Sequence, residues 1–256
     1  MATYFFDDIT AEQALAYTAA SDQLIFEGDV SASQVSVRFV PFTIDTPDYI
    51  IIASPTRSVT FSDPGPRDEN DLLFPDGSLL RIGTTGNDVF TGGAGRDGLY
   101  GGAGSDTLDG GAGNDLLQGN QGDDSLVGGA GDDVIYGGRD NDTISGGAGG
   151  TASVFQFAQG NLGNDLIIGG TGRELLLGGQ GNDTIDASSG GGDYLLGNLG
   201  DDSVVAGSSA DTLGGEGGAD SLVGGGGADS LNGGDGNDSI TGGTASDTID
   251  GGEGDD

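Results

Sequence analysis

Cysteine, histidine and lysine are all missing from this 256-residue sequence. Without Cys there is no thiol nucleophile, and without His there is no Ser/His/Asp relay and no imidazole base. Losing both residue types also excludes zinc sites of the usual kind. The basic residues number seven, every one an Arg, against 42 acidic ones, for a net charge of −35. Such a chain repels nucleic acid and anionic membrane surfaces and draws cations. No run of about twenty apolar residues occurs, so no helix is expected to insert in a membrane. The opening "MATYFFDDIT" has acids where a cleaved secretory signal carries a basic and then an apolar segment. An enzyme, a nucleic-acid binder and a membrane-inserted protein are therefore not expected.

Glycine, by contrast, occurs 56 times, too often for an ordinary helix-rich core. From Gly83 the chain divides into GTTGNDVFT, GGAGRDGLY, GGAGSDTLD, GGAGNDLLQ and so on, nineteen units in all, the last cut short. Two units break the period, one of fourteen residues at 146 and one of ten at 187. The eighth place is apolar in 17 of the 18 units long enough to have one, and that regularity makes the repeat the dominant feature of the sequence.

Residues 1–82 differ in kind. "TAEQALAYTAA" has Thr10 and Gln13 at capping-box spacing before apolar residues at helical spacing, which predicts a short helix over 10–20. "QLIFEG", "QVSVRFVP", "DYIIIAS" and "RSVTFS" predict four strands broken by Pro and Asp turns, and "SLLRIG" runs into the first repeat. The expected organisation is a small β-rich capping or assembly domain, 1–82, followed by the repeat domain, 83–256.

The repeat G-G-x-G-x-D-x-U-x, with U a large apolar residue, resembles the RTX family of secreted bacterial proteins over residues 83–256. The resemblance implies an all-β fold: a right-handed parallel β-roll, a solenoid in which each nonapeptide gives one turn and one short strand and two units complete a coil. It implies several Ca2+ ions held by the sixth-place aspartates and by backbone carbonyls of stacked turns. It further implies type I secretion to the cell surface or exterior, with folding triggered there by calcium. The sequence departs from the family by ending "GGEGDD" in mid-repeat with no signal-like tail, which puts the export route in question.

Physical chemistry points the same way. Glycines at the first, second and fourth places permit positive φ and let carbonyls converge. A three-residue x-U-x segment is too short to be a strand alone, so stacking is obligatory. Carboxylates stacked at strand spacing, about 5 Å, repel by roughly 0.8 kcal/mol per pair even in water, and a hard cation wanting six to eight oxygens removes that repulsion. Ion binding is then folding free energy.

Alternate units fall on the same edge, giving two columns. One reads Asp88, Asp106, Asp124, Asp142, Asp165, Asp183, Asp202, Asp220, Asp238 and Asp256 without a gap. The other reads Asp97, Asp115, Asp133, then Thr151 and Glu174, then Asp193, Asp211, Asp229 and Asp247. A continuous calcium line on one edge and an interrupted one on the other are expected. Near the interruption, Leu175, Leu177, Tyr194 and Leu196 occupy places that should face solvent, next to the insertion "SVFQFAQ" with Phe155 and Phe157. Either the insertion folds back over this patch or the patch meets a partner.

Scattered G-x-G-x-x-G matches open no helix and sit among acids that repel phosphate, so they carry no nucleotide reading. The leading functional expectation is a non-enzymatic, secreted, calcium-binding structural protein. Its rigid rod would contribute to a surface layer (S-layer), biofilm matrix, filament or adhesin, and would self-associate. The alternatives are the carrier portion of a larger RTX enzyme or toxin, and a calcium-responsive binding module.

Overall fold

In the repeat region each strand presents one aliphatic side chain inward between two that face water, and this pattern dictates how the coils stack. Thr107–Ala112 is typical: Leu108 is buried while Thr107 and Asp109 on either side are exposed. The computed structural model describes residues 76–149 and 156–256, together with Thr3–Phe5, Gln23–Ile25, 34–40, Tyr49–Ser54, Arg57–Ser62 and 72–74. Among the described residues the fold is all-β, with no α-helix, and the helix expected over 10–20 lies outside them.

Two parallel sheets face one another. A nine-stranded sheet runs from Val89–Gly93 to Ser239–Gly243, and a ten-stranded sheet from Leu80–Ile82 to Thr248–Glu253. Successive strands alternate between the sheets, so two nonapeptides make one coil of a β-solenoid of about nine turns. Register is kept by like on like: Leu108 pairs with Leu126, and Leu126 with Ile144.

Between the sheets the inward residues form one line from each side. Leu99, Leu108, Leu117, Leu126, Ile135 and Ile144 have no exposed surface, and the line continues to Leu231. Each such residue contributes roughly 1.5–3 kcal/mol through burial, and only because its neighbours cover it.

Neither irregular unit breaks the pairing of the strands on either side of it. Strand partners normally lie 18 residues apart, become 23 apart across the insertion and 19 apart across the ten-residue unit. Gln156–Leu162 sits between Val134–Arg139 and Glu174–Gln180, so the fourteen-residue unit still forms one half-coil. Its inward residue is Ala158, opposite Ile135 and Leu176, where other coils place a larger side chain.

The glycine requirement is sharpest at the turns. Gly113 has φ 140°, and a Cβ there would overlap the carbonyl oxygen of Gly95 in the preceding coil. Asn takes the second place at Asn120, Asn161 and Asn198 with φ near 80°, the left-handed conformation that it tolerates best after Gly.

All four strands expected before residue 72 occur, and Thr3–Phe5 and Leu72–Leu73 add two that composition did not suggest. Ser36–Val40, Tyr49–Ser54 and Arg57–Ser62 form an antiparallel sheet, whereas Thr3–Phe5, Gln23–Ile25 and Leu72–Leu73 form a parallel one. The Tyr100 hydroxyl donates to the Val35 carbonyl at 2.6 Å, which ties the first coil to the N-terminal segment. Leu80–Ile82 pairs with Gly98–Tyr100, so the ten-stranded sheet begins just ahead of the first nonapeptide.

Candidate metal centre

From Asp88 to Asp247 each column aspartate stands immediately before a strand, where the chain delivers it to the edge of the sheet. The pairing of strands then brings like aspartates into contact with the coil before. The Asp88 N–H donates to Asp106 Oδ1 at 2.7 Å, Asp106 to Asp124 at 2.7 Å, and Asp124 to Asp142 at 2.9 Å. This ladder continues without a break through Asp165, Asp183, Asp202, Asp220 and Asp238 to Asp256. On the other edge, Leu79 donates to Asp97, Asp97 to Asp115 and Asp115 to Asp133. A second run begins at Glu174 and passes through Asp193, Asp211 and Asp229 to Asp247.

In most of these carboxylates one oxygen is thus used and the other is not. Oδ2 of Asp97, Asp106, Asp115, Asp124, Asp142, Asp165, Asp183, Asp193, Asp202, Asp220, Asp229 and Asp238 is buried with no hydrogen-bond donor. A buried carboxylate oxygen left without a donor carries a desolvation cost that a bound cation removes. Fifteen of the side chains in these columns, from Asp97 to Asp238, lie below a tenth exposed.

The free oxygens lie against the first-place glycine, beside a carbonyl oxygen of the next coil. A Cβ built on Gly110 would lie 2.6 Å from Asp115 Oδ2 and 2.5 Å from the Gly128 carbonyl oxygen. On Gly224 it would lie 2.7 Å from Asp229 Oδ2 and 2.6 Å from the Gly242 oxygen. The glycine thus lets a carboxylate oxygen and a carbonyl oxygen of the next coil draw close together, and both are hard oxygens of the kind that calcium takes as ligands. The first-place glycine therefore does two things: its missing side chain leaves room for those two oxygens, and its carbonyl serves the coil before. Among the described residues no three acidic side chains converge on one point, so backbone oxygens must supply much of any coordination shell.

Electrostatics reflect the strain of stacking these groups without a cation. Burial pushes the Asp142 carboxyl up to about 8, with the charges of Asp165 and Asp124 adding to it against a backbone hydrogen bond. Burial likewise pushes Asp115, Asp124 and Asp183 up to about 7, and Asp106 and Asp202 up to about 6. Such groups are held ready for an ion that restores their charged form.

The interrupted column differs from the sequence reading in two residues. Thr151, expected at the sixth place, lies outside the described residues, and strand register puts Gln156 there, opposite Glu174. The five extra residues precede the aspartate-equivalent place instead of following it, which counting from Gly146 could not reveal. Glu174, counted as an interruption, is fully buried in the column with both carboxylate oxygens free of donors. Its extra methylene brings it to the same space as Asp193: a Cβ on Gly190 would lie 2.6 Å from Asp193 Oδ2 and closer still to Glu174 Oε2. Burial and the Asp193 charge push Glu174 up to about 8.

The apolar places near the insertion fall on one sheet as expected. Phe157, Leu175 and Tyr194 are in register, as are Gln159, Leu177 and Leu196. Leu175, Leu177 and Leu196 are half-buried, while Leu162, Tyr194 and Leu199 are more exposed, Leu199 at 58%. Phe155 lies outside the described residues.

Comparison with known proteins adds one match. A family model for the RTX calcium-binding nonapeptide repeat matches residues 82–117, 118–150, 157–185, 188–222 and 223–256. A search of curated proteins finds none that matches. Matched segments cover well over half of the chain, and they are the coils whose glycine carbonyls and aspartate oxygens draw together as described above. The chain is a calcium-binding repeat protein of the RTX family.

Proposed function

We propose that this chain is a secreted, non-enzymatic structural protein whose repeats close on calcium into a rigid rod at the cell surface or outside the cell. One observation carries the reading: a file of buried carboxylate oxygens without donors along both edges of the solenoid. Cations bound at intervals neutralise such a file, and a fold whose closure needs many ions is unstable where calcium is scarce and rigid where it is abundant. RTX repeats are characteristic of type I secreted proteins, which supports an extracellular setting. The proposed ligands are the aspartates of the two columns, Asp88 to Asp256, with Glu174 added and with Asp133, whose Oδ2 accepts from Gln156 Nε2, set apart.

The rod serves, in this reading, as an element of a surface layer, matrix filament or adhesin, and residues 1–82 cap or anchor one end of it. Exposed Leu162, Tyr194 and Leu199 on the ten-stranded sheet support assembly through that face. Electron microscopy of the purified protein with and without calcium tests the proposal. Calcium-dependent filaments or lattices support a scaffold, and monodisperse particles in both conditions contradict it.

A further inference from the structure

The interrupted column contains a feature that neither the repeat pattern nor the family match accounts for. Gln156 stands at the aspartate place of its coil and has no exposed surface. Its Nε2 donates to the Gly146 carbonyl oxygen at 2.6 Å and to Asp133 Oδ2 at 3.3 Å. Those two oxygens correspond to the pair that other coils bring together over the first-place glycine, where the carboxylate oxygen has no donor. A Cβ on Gly128 would lie 2.6 Å from Asp133 Oδ2 and 2.7 Å from the Gly146 oxygen, as with Asp115 and Gly128 one coil earlier.

Asp133 also differs from its neighbours in that its Oδ2 has a donor. Asp97 and Asp115 before it, and Asp193 and Asp229 after it, have none. An amide NH2 is neutral but presents two hydrogens with partial positive charge, enough to satisfy one carboxylate oxygen and one carbonyl oxygen together. A calcium ion at about 2.3–2.6 Å from both oxygens would collide with that nitrogen.

We propose that Gln156 is a protein-supplied replacement for a cation. Its side-chain amide fills the place between Asp133 Oδ2 and the Gly146 oxygen, so this coil closes without an ion. The column is thereby divided into two separate calcium lines, one through Asp97 and Asp115 and one from Glu174 to Asp247. The five-residue insertion and the small inward Ala158 fall in the same coil, so the coil with the smaller core residue and the longest repeat unit is also the one whose closure does not depend on the metal.

This inference rests on the calcium reading of the neighbouring coils, and the test separates the two. Calcium-loaded protein is crystallised and calcium anomalous density mapped; bound ions are also counted by native mass spectrometry for the wild type, Gln156→Ala and Gln156→Asp. The expected result is density beside Asp115 and Asp229 with none between Asp133 Oδ2 and Gly146 O, and one additional ion in each variant. Density at that point in the wild type overturns the inference, as does an unchanged ion count in both variants. A wild type that loads no calcium anywhere overturns the functional reading, and this inference with it.

Discussion

The Asp124 backbone N–H donates to Oδ1 of Asp142 at 2.9 Å, and the other oxygen of Asp142 is buried with no donor at all. One oxygen fixes the coil and the other is left for an ion. The two functions separate by substitution. Asp142→Asn keeps an oxygen for the Asp124 N–H but turns the free oxygen into an NH2; it is expected to lose one bound ion or more and to raise the calcium midpoint of folding. Asp142→Ala loses the hydrogen bond as well, worth about 1.5–3 kcal/mol when the acceptor is charged. Calorimetric ion stoichiometry together with denaturant unfolding in saturating calcium checks both.

Acid has the opposite effect on the ion-free and the calcium-loaded protein. Burial raises Asp106, Asp115, Asp124, Asp142 and Asp183 above 3.8, to between about 6 and about 8, so the ion-free fold holds more protons than the unfolded chain. That contribution to ion-free stability is fully present below about pH 4 and is lost as pH rises through these values. Calcium competes with the same protons. The ion-free chain that calcium folds is unfolded, with carboxylates near their ordinary value of about 3.9, so the calcium midpoint is expected to hold level from pH 8 to about 5 and to rise as pH falls toward 4. Calcium titrations followed by circular dichroism at pH 4, 5, 6, 7 and 8 test it; a midpoint that already rises between pH 8 and 6 contradicts it.

Core substitutions should be felt locally and strongly. Leu126 is wholly buried and stacks between Leu108 and Ile144. Leu126→Ala is expected to cost about 2–5 kcal/mol in saturating calcium, measured by denaturant unfolding. Asp109→Ala, on the exposed side of the same sheet, serves as a control that should change stability by less than about 0.5 kcal/mol.

The exposed apolar face gives a separate prediction about assembly. Replacing Leu162, Tyr194 and Leu199 together with Ser is expected to abolish calcium-dependent self-association while leaving the folding midpoint nearly unchanged, since all three are substantially exposed. Sedimentation velocity with and without calcium reads the first, and circular dichroism the second. Undiminished association assigns the contact elsewhere.

Most of the solenoid was legible because its rule is local. Nine-residue spacing fixes which side chain faces inward, so Leu108, Leu117 and their successors could be named as core from the repeat alone. The unbroken column from Asp88 to Asp256 followed for the same reason. Gln156 was not legible, because a five-residue insertion destroys the count and only strand pairing restores it. Glu174 misled in a different way: a longer acid looked like damage, yet its added methylene lets it share the space of Asp193. Thr3–Phe5 and Leu72–Leu73 escaped notice because two or three residues carry too little periodicity to register as strands.

The central claim is that ion binding and folding of the repeats are one event. Far-ultraviolet circular dichroism of the whole chain, recorded in calcium and then after excess EGTA, tests it most directly. The strand signal from residues 83–256 is expected to collapse on chelation and to return when calcium is restored. A spectrum unchanged by EGTA would contradict the account.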